Sequence, residues 1–210
     1  MLAENVIHGD VASANKWKIK ADPVDDSGAT IYKSFTSVIG NMKNGATVDL
    51  DITLSDVQVE VSGGDNAGLA CGTMDENTSL AVNLSSSSLD VSGKSNAGVF
   101  VGKMSADATL SIDKCDTLTS VNISANNAGG LVGSAENAEI NVGEGVTLTM
   151  TGSVTGSVTA GGLFGSYTYS KANEKTFDIS KFSGMEMALA CSSGDTADSA
   201  AVGSVFGVLT

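Results

Sequence analysis

A short motif that ends in glycine recurs along the chain and restricts its fold more than any other feature. The copies are SFTSVIG, NAGLACG, NAGVFVG, NAGGLVG, TAGGLFG and AVGSVFG, and they end at Gly40, Gly72, Gly102, Gly133, Gly165 and Gly207. The final glycines are 30 to 32 residues apart in the first five copies, and 42 residues precede the last. Such a period without helical periodicity indicates a solenoid, in which each repeat is one coil.

Two further segments of each repeat alternate apolar and polar residues. The first group comprises TVDLDITL, SLAVNL, TLSI, EINV and TFDI, and the second comprises VQVEVSG, LDVSG, VNISA, LTMTGSV and MEMALA. Alternation with period two predicts β-strands, so each coil contains three short strands. The sequence therefore predicts an all-β fold, a right-handed parallel β-helix with about 30–32 residues per coil. Residues 1–33 are expected to form an N-terminal coil or cap, and residues 34–210 a single elongated domain of coils that is incomplete at its C-terminus.

The alternation also predicts a core. In the middle strands the residues expected to point inward are Val48, Leu50, Ile52, Leu80, Val82, Leu84, Leu110, Ile112, Ile140, Val142, Phe177 and Ile179. In the first strands two adjacent columns are apolar, one running from Val38 to Val205 and one from Ile39 to Phe206. A flat strand can bury one column only. Because an exposed apolar stripe of this length would be an interface, we expect both columns to be buried where the chain bends.

Glycine and asparagine form further columns. Gly68, Gly98, Gly129 and Gly161 recur at one position, which predicts a turn or a close approach of neighbouring coils. Asn66, Asn96 and Asn127 recur two residues before three of these glycines. We interpret these asparagines as a structural ladder that satisfies backbone groups at a corner. The alternative is a ladder that binds a polar ligand.

Composition argues against several classes of partner. The chain has 24 acidic residues and 11 basic residues, all of them lysine, for a net charge of −13. A surface of this kind repels nucleic acid and anionic lipid, and no apolar run reaches the ~20 residues of a membrane span. Cys71, Cys115 and Cys191 are too widely spaced for a disulfide framework. We expect Cys71, which lies in an apolar column, to be buried and the other two to be more accessible.

The stretches NAGGLVGSAENAEINV (127–142) and AGGLFG (160–165) resemble the GLUG motif, a short repeat of bacterial surface and secreted proteins. The resemblance covers most of the chain, and its specific part is the Gly-Leu-aliphatic-Gly core. It implies a repeat module within larger surface proteins, adhesins among them. The expected function is therefore structural or adhesive, as a stalk or binding scaffold outside the cell or at its surface. Host or cell-surface proteins and glycans are the expected partners.

A carbohydrate-binding or polysaccharide-degrading β-helix module is the alternative. Degradation requires positioned carboxylates. Asp49, Asp51, Asp56 and Glu60 face outward in one coil, but Asn83, Ser85, Ser87 and Asp90 occupy the equivalent ground in the next. No carboxylate column is formed, so we expect no catalytic residue, no enzyme activity and no cofactor. The acidic turn DPVDDSG (22–28) lacks the spacing of a calcium loop, so we expect no metal site.

The longer segment after Gly165, SYTYSKANEK, is the best candidate for ligand binding. It brings together two aromatic and two basic residues, Tyr167, Tyr169, Lys171 and Lys175. Loops on a rigid scaffold are where binding residues concentrate. An ordinary long loop is the alternative interpretation.

The last segment, SAAVGSVFGVLT, begins another coil and contains no second strand. An uncapped terminal coil exposes unpaired strand edges and the apolar cross-section of the core. We therefore expect self-association, or a further chain segment, at the C-terminal face.

Overall fold

The structure is a computed structural model that describes residues 16–20, 35–53, 58–85, 88–170, 175–192 and 200–210. It is a parallel β-solenoid whose strands form three sheets, and one short 3-10 helix accompanies them. Backbone alone is described for residues 16–20, 35–36 and 53. None of the helical structure in these ranges is long and apolar enough to cross a membrane.

Three sheets form the walls of the solenoid. Sheet 1 has eight strands: β1 (Lys16–Lys20), β2 (Phe35–Thr36), β5 (Gln58–Gly68), β8 (Ser88–Gly98), β11 (Leu118–Gly129), β14 (Thr149–Gly161), β16 (Gly184–Cys191) and β17 (Ala201–Gly203). Sheet 2 has six strands: β3 (Ile39–Met42), β6 (Cys71–Met74), β9 (Val101–Met104), β12 (Val132–Glu136), β15 (Phe164–Thr168) and β18 (Phe206–Leu209). Sheet 3 has four strands: β4 (Thr47–Thr53), β7 (Ser79–Ser85), β10 (Thr109–Cys115) and β13 (Glu139–Val142).

The strand register confirms the repeat alignment. One row of sheet 2 joins the residues that precede the motif glycines, namely Ile39, Cys71, Val101, Val132, Phe164 and Phe206. The spacing before the last copy is longer, at 42 residues, but the strand register is unchanged. Each interior coil runs through the three sheets in turn, which confirms three strands per coil. The motif belongs to two sheets. From the second copy on, its first three residues, Asn-Ala-Gly in three of the copies, are the last residues of a sheet 1 strand, and its last two residues are the first of a sheet 2 strand.

Both apolar columns of the motif are buried in the interior coils, as expected. Ala70, Phe100, Leu131 and Leu163 fill one column, and Cys71, Val101, Val132 and Phe164 fill the other. The chain bends between sheets 1 and 2 at the first of these columns, so consecutive side chains can both point inward. At the two ends of the columns Val38, Ile39, Val205 and Phe206 are half-buried.

The middle strands place most of the expected residues inward, but the fifth of them is absent. Residues 176–179 were expected to form a strand, but residues 176–178 have no regular secondary structure and a 3-10 helix, η1 (Ile179–Phe182), begins at Ile179. Ile179 is 67% exposed rather than buried. Asp178 caps this helix, since its carboxylate accepts hydrogen bonds from Ser180 N at 3.1 Å and Ser180 Oγ at 2.6 Å. Capping side chains of this kind compete with strand pairing. Phe177 keeps its expected inward position and is half-buried.

Glycines lie where sheets 1 and 2 meet, because the backbones of neighbouring segments approach too closely for a side chain. A Cβ atom added at Gly68, Gly98, Gly129 or Gly161 would lie 1.7 to 2.6 Å from a backbone oxygen. A Cβ atom at Gly102, Gly133, Gly165 or Gly207 would lie 2.4 to 2.6 Å from backbone atoms. The two glycine columns predicted from the sequence therefore mark one tightly folded corner of the solenoid.

The turn between sheets 2 and 3 uses a left-handed residue in successive coils. Its φ angle is 78° at Gly45, 56° at Asn77, 57° at Asp107 and 42° at Asn137. Asparagine and aspartate tolerate this conformation because their short polar side chains hydrogen-bond locally. This turn therefore repeats in conformation although its sequence varies.

Candidate functional site

Tyr167, a ligand-binding candidate from the sequence, lies in the core. Its side chain is 2% exposed, and its hydroxyl donates a hydrogen bond to Ala138 O at 2.8 Å. Burial raises the pKa of the Tyr167 phenol to about 12, with smaller contributions from Glu139 and Tyr169. Tyr167 is not exposed because β15 continues through this position, and its alternation places Tyr167, like Gly165, on the inner face.

Four aromatic rings pack together around this position. Phe164, Tyr167, Phe177 and Phe206 form six ring pairs with centroids 5.1 to 6.0 Å apart, mostly in edge-to-face geometry. We call this group the aromatic cluster. It fills the core of the last coils, where the described residues form no sheet 3 strand. Phe164 and Tyr167 are buried and Phe177 and Phe206 half-buried, so the cluster stabilises the fold.

The remaining residues of the expected loop site are separated by their contacts. Lys175 Nζ lies 3.6 Å from Asp107 Oδ1 and 3.7 Å from Glu139 Oε2, so this lysine ties the chain after the loop to the preceding coils. Tyr169 is 40% exposed. Lys171 lies outside the described residues. Of the described members, Tyr167 is therefore buried, Lys175 is held by two carboxylates, and Tyr169 is exposed.

The asparagine column forms a continuous hydrogen-bonded ladder. Asn127 Nδ2 donates to Asn96 Oδ1 at 3.0 Å, and Asn96 Nδ2 donates to Asn66 Oδ1 at 2.7 Å. Thr159 Oγ1 extends the ladder by donating to Asn127 Oδ1 at 3.0 Å, and Asn66 Nδ2 donates to Thr73 Oγ1 at 3.1 Å. The asparagines thus satisfy one another between coils, which favours the structural interpretation over the ligand-binding one.

Substitution of a buried ladder residue should cost more stability than substitution of an exposed one. Asn96 is 8% exposed, and Asn96→Ala would leave the Asn66 carbonyl without this donor in a partly buried site. We expect the free energy of unfolding in urea to fall by about 1–3 kcal/mol. The control is Asn122→Ala, which removes two equally short hydrogen bonds at an exposed position and should cost less than about 0.5 kcal/mol. Equal losses in the two variants would contradict the structural role of the ladder.

A row of polar side chains crosses the outer face of sheet 1. The register places Glu60, Asp90, Asn122 and Ser153 side by side on β5, β8, β11 and β14. Asp90 accepts hydrogen bonds from Gln58 Nε2 at 2.7 Å and Asn122 Nδ2 at 2.8 Å, and Ser153 Oγ donates to Asn122 Oδ1 at 2.9 Å. A parallel row contains Ser62, Ser92, Ser124 and Thr155.

These two rows line a shallow groove of about 330 Å³, which we call the polar groove. Its hydroxyls, amides and carboxylates can exchange hydrogen bonds with a polyhydroxylated ligand. Sequence reasoning placed Glu60 and Asp90 on outward faces but did not identify a groove. Alignment of VEVSG, LDVSG and VNISA on their inward residues would have revealed both rows.

The polar groove contains two carboxylate residues, Glu60 and Asp90. Its carboxylates are confined to two adjacent strands, since Asn122 and Ser153 follow Asp90 in the row. Both oxygens of Asp90 already accept hydrogen bonds from amide groups. Within the described residues, histidine, cysteine, aspartate and glutamate form no group of three that could bind a metal ion. Both oxygens of Asp90 are therefore engaged, and amide and hydroxyl groups make up the rest of the row.

The three cysteines are free, and the structure confirms their expected burial. Cys71 is fully buried, whereas Cys115 and Cys191 are half-buried. Burial raises the pKa of the Cys71 thiol to about 12, and burial with the Asp116 carboxylate raises that of Cys115 to about 12. The thiolate is the reactive form, so the two thiols are weak nucleophiles near neutral pH.

Thiol labelling should reproduce this order. At pH 8 we expect Cys71 and Cys115 to react with iodoacetamide roughly a thousandfold more slowly in the folded protein than in urea, because a pKa near 12 leaves little thiolate. Cys191 should be labelled first in the folded state. Peptide mass spectrometry over time measures the three rates, and the denatured protein is the control. Labelling of Cys71 as fast as Cys191 in the folded protein would contradict the assigned burial.

The described geometry thus contains one ladder with a structural role, one aromatic cluster in the core and one open polar groove. The polar groove is the surface of the described residues that carries aligned polar side chains on four successive strands. Comparison of the chain with protein-family models, with curated proteins and with solved structures finds no match.

Proposed function

We propose that the chain is a noncatalytic scaffold: a structural or adhesive repeat segment of a bacterial cell-surface or secreted protein, serving as a stalk or as a support for binding surfaces. The observation that carries this proposal is the stacking of successive coils in register, with side-chain ladders on both the corner and the outer face. The bacterial and extracellular parts of the proposal depend on the resemblance to GLUG repeats.

The mechanism of such a scaffold is mechanical. Each interior coil is fixed to two neighbours by backbone hydrogen bonds in three sheets, by a common core and by the asparagine ladder. Stability of a solenoid is the sum of such contacts between neighbouring repeats. Six stacked strands at about 4.8 Å extend the rod by roughly 25–30 Å. Loops and outer faces can then vary without disturbing the rod.

A panel of polysaccharides tests the noncatalytic role. The purified protein is incubated with neutral, acidic and amino-sugar polymers, and new reducing ends and unsaturated products are measured over time. We expect no turnover above that of a heat-denatured sample. Turnover that depends on Asp90, lost in Asp90→Asn and retained in Asp49→Asn, would refute the proposal and assign the activity to the polar groove.

Noncatalytic glycan binding is the second candidate, and the polar groove favours it. A glycan lying along the solenoid axis would meet hydroxyl, amide and carboxylate groups of four successive strands. Calorimetry with the same polymers tests this candidate. Saturable binding that is weakened in Asn122→Ala/Ser124→Ala, but retained in Ser134→Ala/Ser166→Ala on sheet 2, would support the groove as the site. Binding that is equal in both double variants would exclude it.

A further inference from the structure

Asn44 is the only asparagine of the chain that a glycine follows, and it lies in the turn between β3 and β4. Asn44 and Gly45 form the tip of this turn, and both are exposed. Gly45 has a φ angle of 78°, and a Cβ atom added to it would meet no atom within 4 Å apart from its chain neighbours. Water and a small ring have room at this tip.

The next coil contains the same turn with other residues. The register of the flanking strands makes Asn44 equivalent to Glu76 and Gly45 equivalent to Asn77. Glu76 and Asn77 are exposed although described coils lie on both sides of them, so exposure is a property of the turn itself. The two turns differ in one backbone contact. Asn77 N donates a hydrogen bond to Ala106 O at 3.3 Å, whereas Gly45 N forms no hydrogen bond with the described residues.

A free backbone nitrogen beside an asparagine amide permits an intramolecular reaction. Gly45 N forms a bond to Asn44 Cγ, the bond from Cγ to Nδ2 breaks, and ammonia leaves with the proton of the backbone nitrogen, which gives a five-membered succinimide ring. Water then opens the ring. Attack at Cγ yields aspartate, and attack at the backbone carbonyl carbon yields isoaspartate, whose main chain runs through Cβ and Cγ. A side chain on the following residue hinders ring closure, and glycine has none.

Contacts between two coils surround this turn. Asp75 N donates to Met42 O before the turn, and Ser79 N donates to Ala46 O after it, each at 2.9 Å. Lys43 Nζ also lies 3.2 Å from Asp75 Oδ2. Ala46 N closes the turn by donating to Lys43 O at 2.9 Å. Isoaspartate adds one main-chain atom inside the closed turn, so these bonds cannot all keep their geometry.

We propose that Asn44 is a site of spontaneous deamidation, and that the isoaspartate formed there loosens the pairing of β4 with β7. The reaction needs water alone, so the proposal goes beyond the scaffold role and does not depend on it. Coils of a solenoid contact mainly their neighbours, so the effect should be confined to strands near the turn. Aspartate, the other product, adds only a charge where the next coil already has the exposed Glu76, and should have little effect.

Peptide mass spectrometry of the folded protein during storage at pH 8 tests the reaction. We expect Asn44 to be deamidated at least about tenfold faster than Asn77, which has the same turn and exposure but precedes Thr78. Equal rates at the two asparagines would overturn the proposal. Asn44 that stays intact in the folded protein, while it reacts in the urea-unfolded chain, would also overturn it, because the turn would then prevent ring closure.

Methylation by protein isoaspartate methyltransferase distinguishes the two products. We expect the enzyme to transfer a labelled methyl group to the peptide around Asn44 in the stored protein and not in the fresh protein. Deamidation without methylation would mean that aspartate alone is formed, and would overturn the loosening of β4.

Hydrogen exchange tests the structural effect. We expect exchange in β4 to be at least about fivefold faster in stored than in fresh protein, with β10 unchanged. The control, Gly45→Asn, should keep the turn, since Asn77 occupies the equivalent left-handed position, and should show neither deamidation nor acceleration after storage. Asn44→Gln replaces it if its melting temperature falls, because glutamine would have to close a six-membered ring.

Fresh Asn44→Asp separates charge from the longer main chain. This variant carries the added charge without the extra main-chain atom, so its β4 should exchange as slowly as in fresh wild-type protein. Equal acceleration in fresh Asn44→Asp, or full protection of β4 in stored protein that contains isoaspartate, would overturn the loosening of the pairing.

Discussion

Gly129→Ala should lower the free energy of unfolding by about 4 kcal/mol or more, because no room exists for a single methyl group at this corner. Its Cβ atom would lie 2.0 Å from Val132 O, 2.5 Å from Gly165 N and 2.9 Å from Leu163 O. All three contacts are with backbone atoms, and two of them belong to the next coil. Relief of the overlap therefore requires the corner to open or the coils to move apart, at the expense of the ladder hydrogen bonds on both sides.

Urea denaturation followed by circular dichroism measures this loss. The control is Gly143→Ala, whose Cβ atom would meet its nearest neighbours, Asp113 Cα and O, at 3.3 Å, and Asp113 is exposed and able to shift. We expect a loss of less than about 1 kcal/mol for this variant. Similar losses in the two variants would contradict the close approach of the coils as the reason for glycine at this corner.

The repeat made most of the fold predictable from the sequence. A solenoid coil contacts mainly the coils before and after it, so the fold depends on a local pattern and its period, both of which can be read directly. The motif glycines fixed the register in advance, and the register in turn fixed which residues face the core. Burial of the two adjacent columns of the motif followed from the same reasoning, since a pair of apolar residues beside a glycine at every corner requires a bend between two sheets.

The last coils depart from expectation because their local signals conflict. Thr176, Phe177, Asp178 and Ile179 alternate as a strand should, but Asp178 caps η1 and directs Ile179 to solvent. Side-chain hydrogen bonds of this kind are formed within a few residues and do not appear in a hydrophobic period.

Tyr167 was misassigned for a different reason. The longer segment after Gly165 was treated as a loop from its first residue, whereas β15 continues through Thr168 and its alternation points the Tyr167 ring inward. The polar groove was missed because it belongs to no single coil. Glu60, Asp90, Asn122 and Ser153 differ in side-chain type, so their common row emerges from the register between strands rather than from similarity of residues.

Phe164→Ala should cost about 3–5 kcal/mol of unfolding free energy, because the ring is fully buried and contacts three other rings. The cavity left behind would lie in the part of the core where the described residues form no sheet 3 strand. Phe177 and Phe206 would also lose their common neighbour. The control is Tyr169→Ala, which removes a partly exposed ring outside the aromatic cluster and should cost less than about 1 kcal/mol.

The location of the damage distinguishes this cluster from an ordinary part of the core. Because coils of a solenoid interact with their neighbours only, loss of Phe164 should loosen the end of the rod before its middle. We expect hydrogen exchange to accelerate in β15, β16 and β18 of the variant, while protection of β8 and β9 stays close to that of the wild type. Uniform acceleration along all coils would contradict this expectation, since it would mean that the solenoid unfolds as one cooperative unit and that the aromatic cluster stabilises every coil equally.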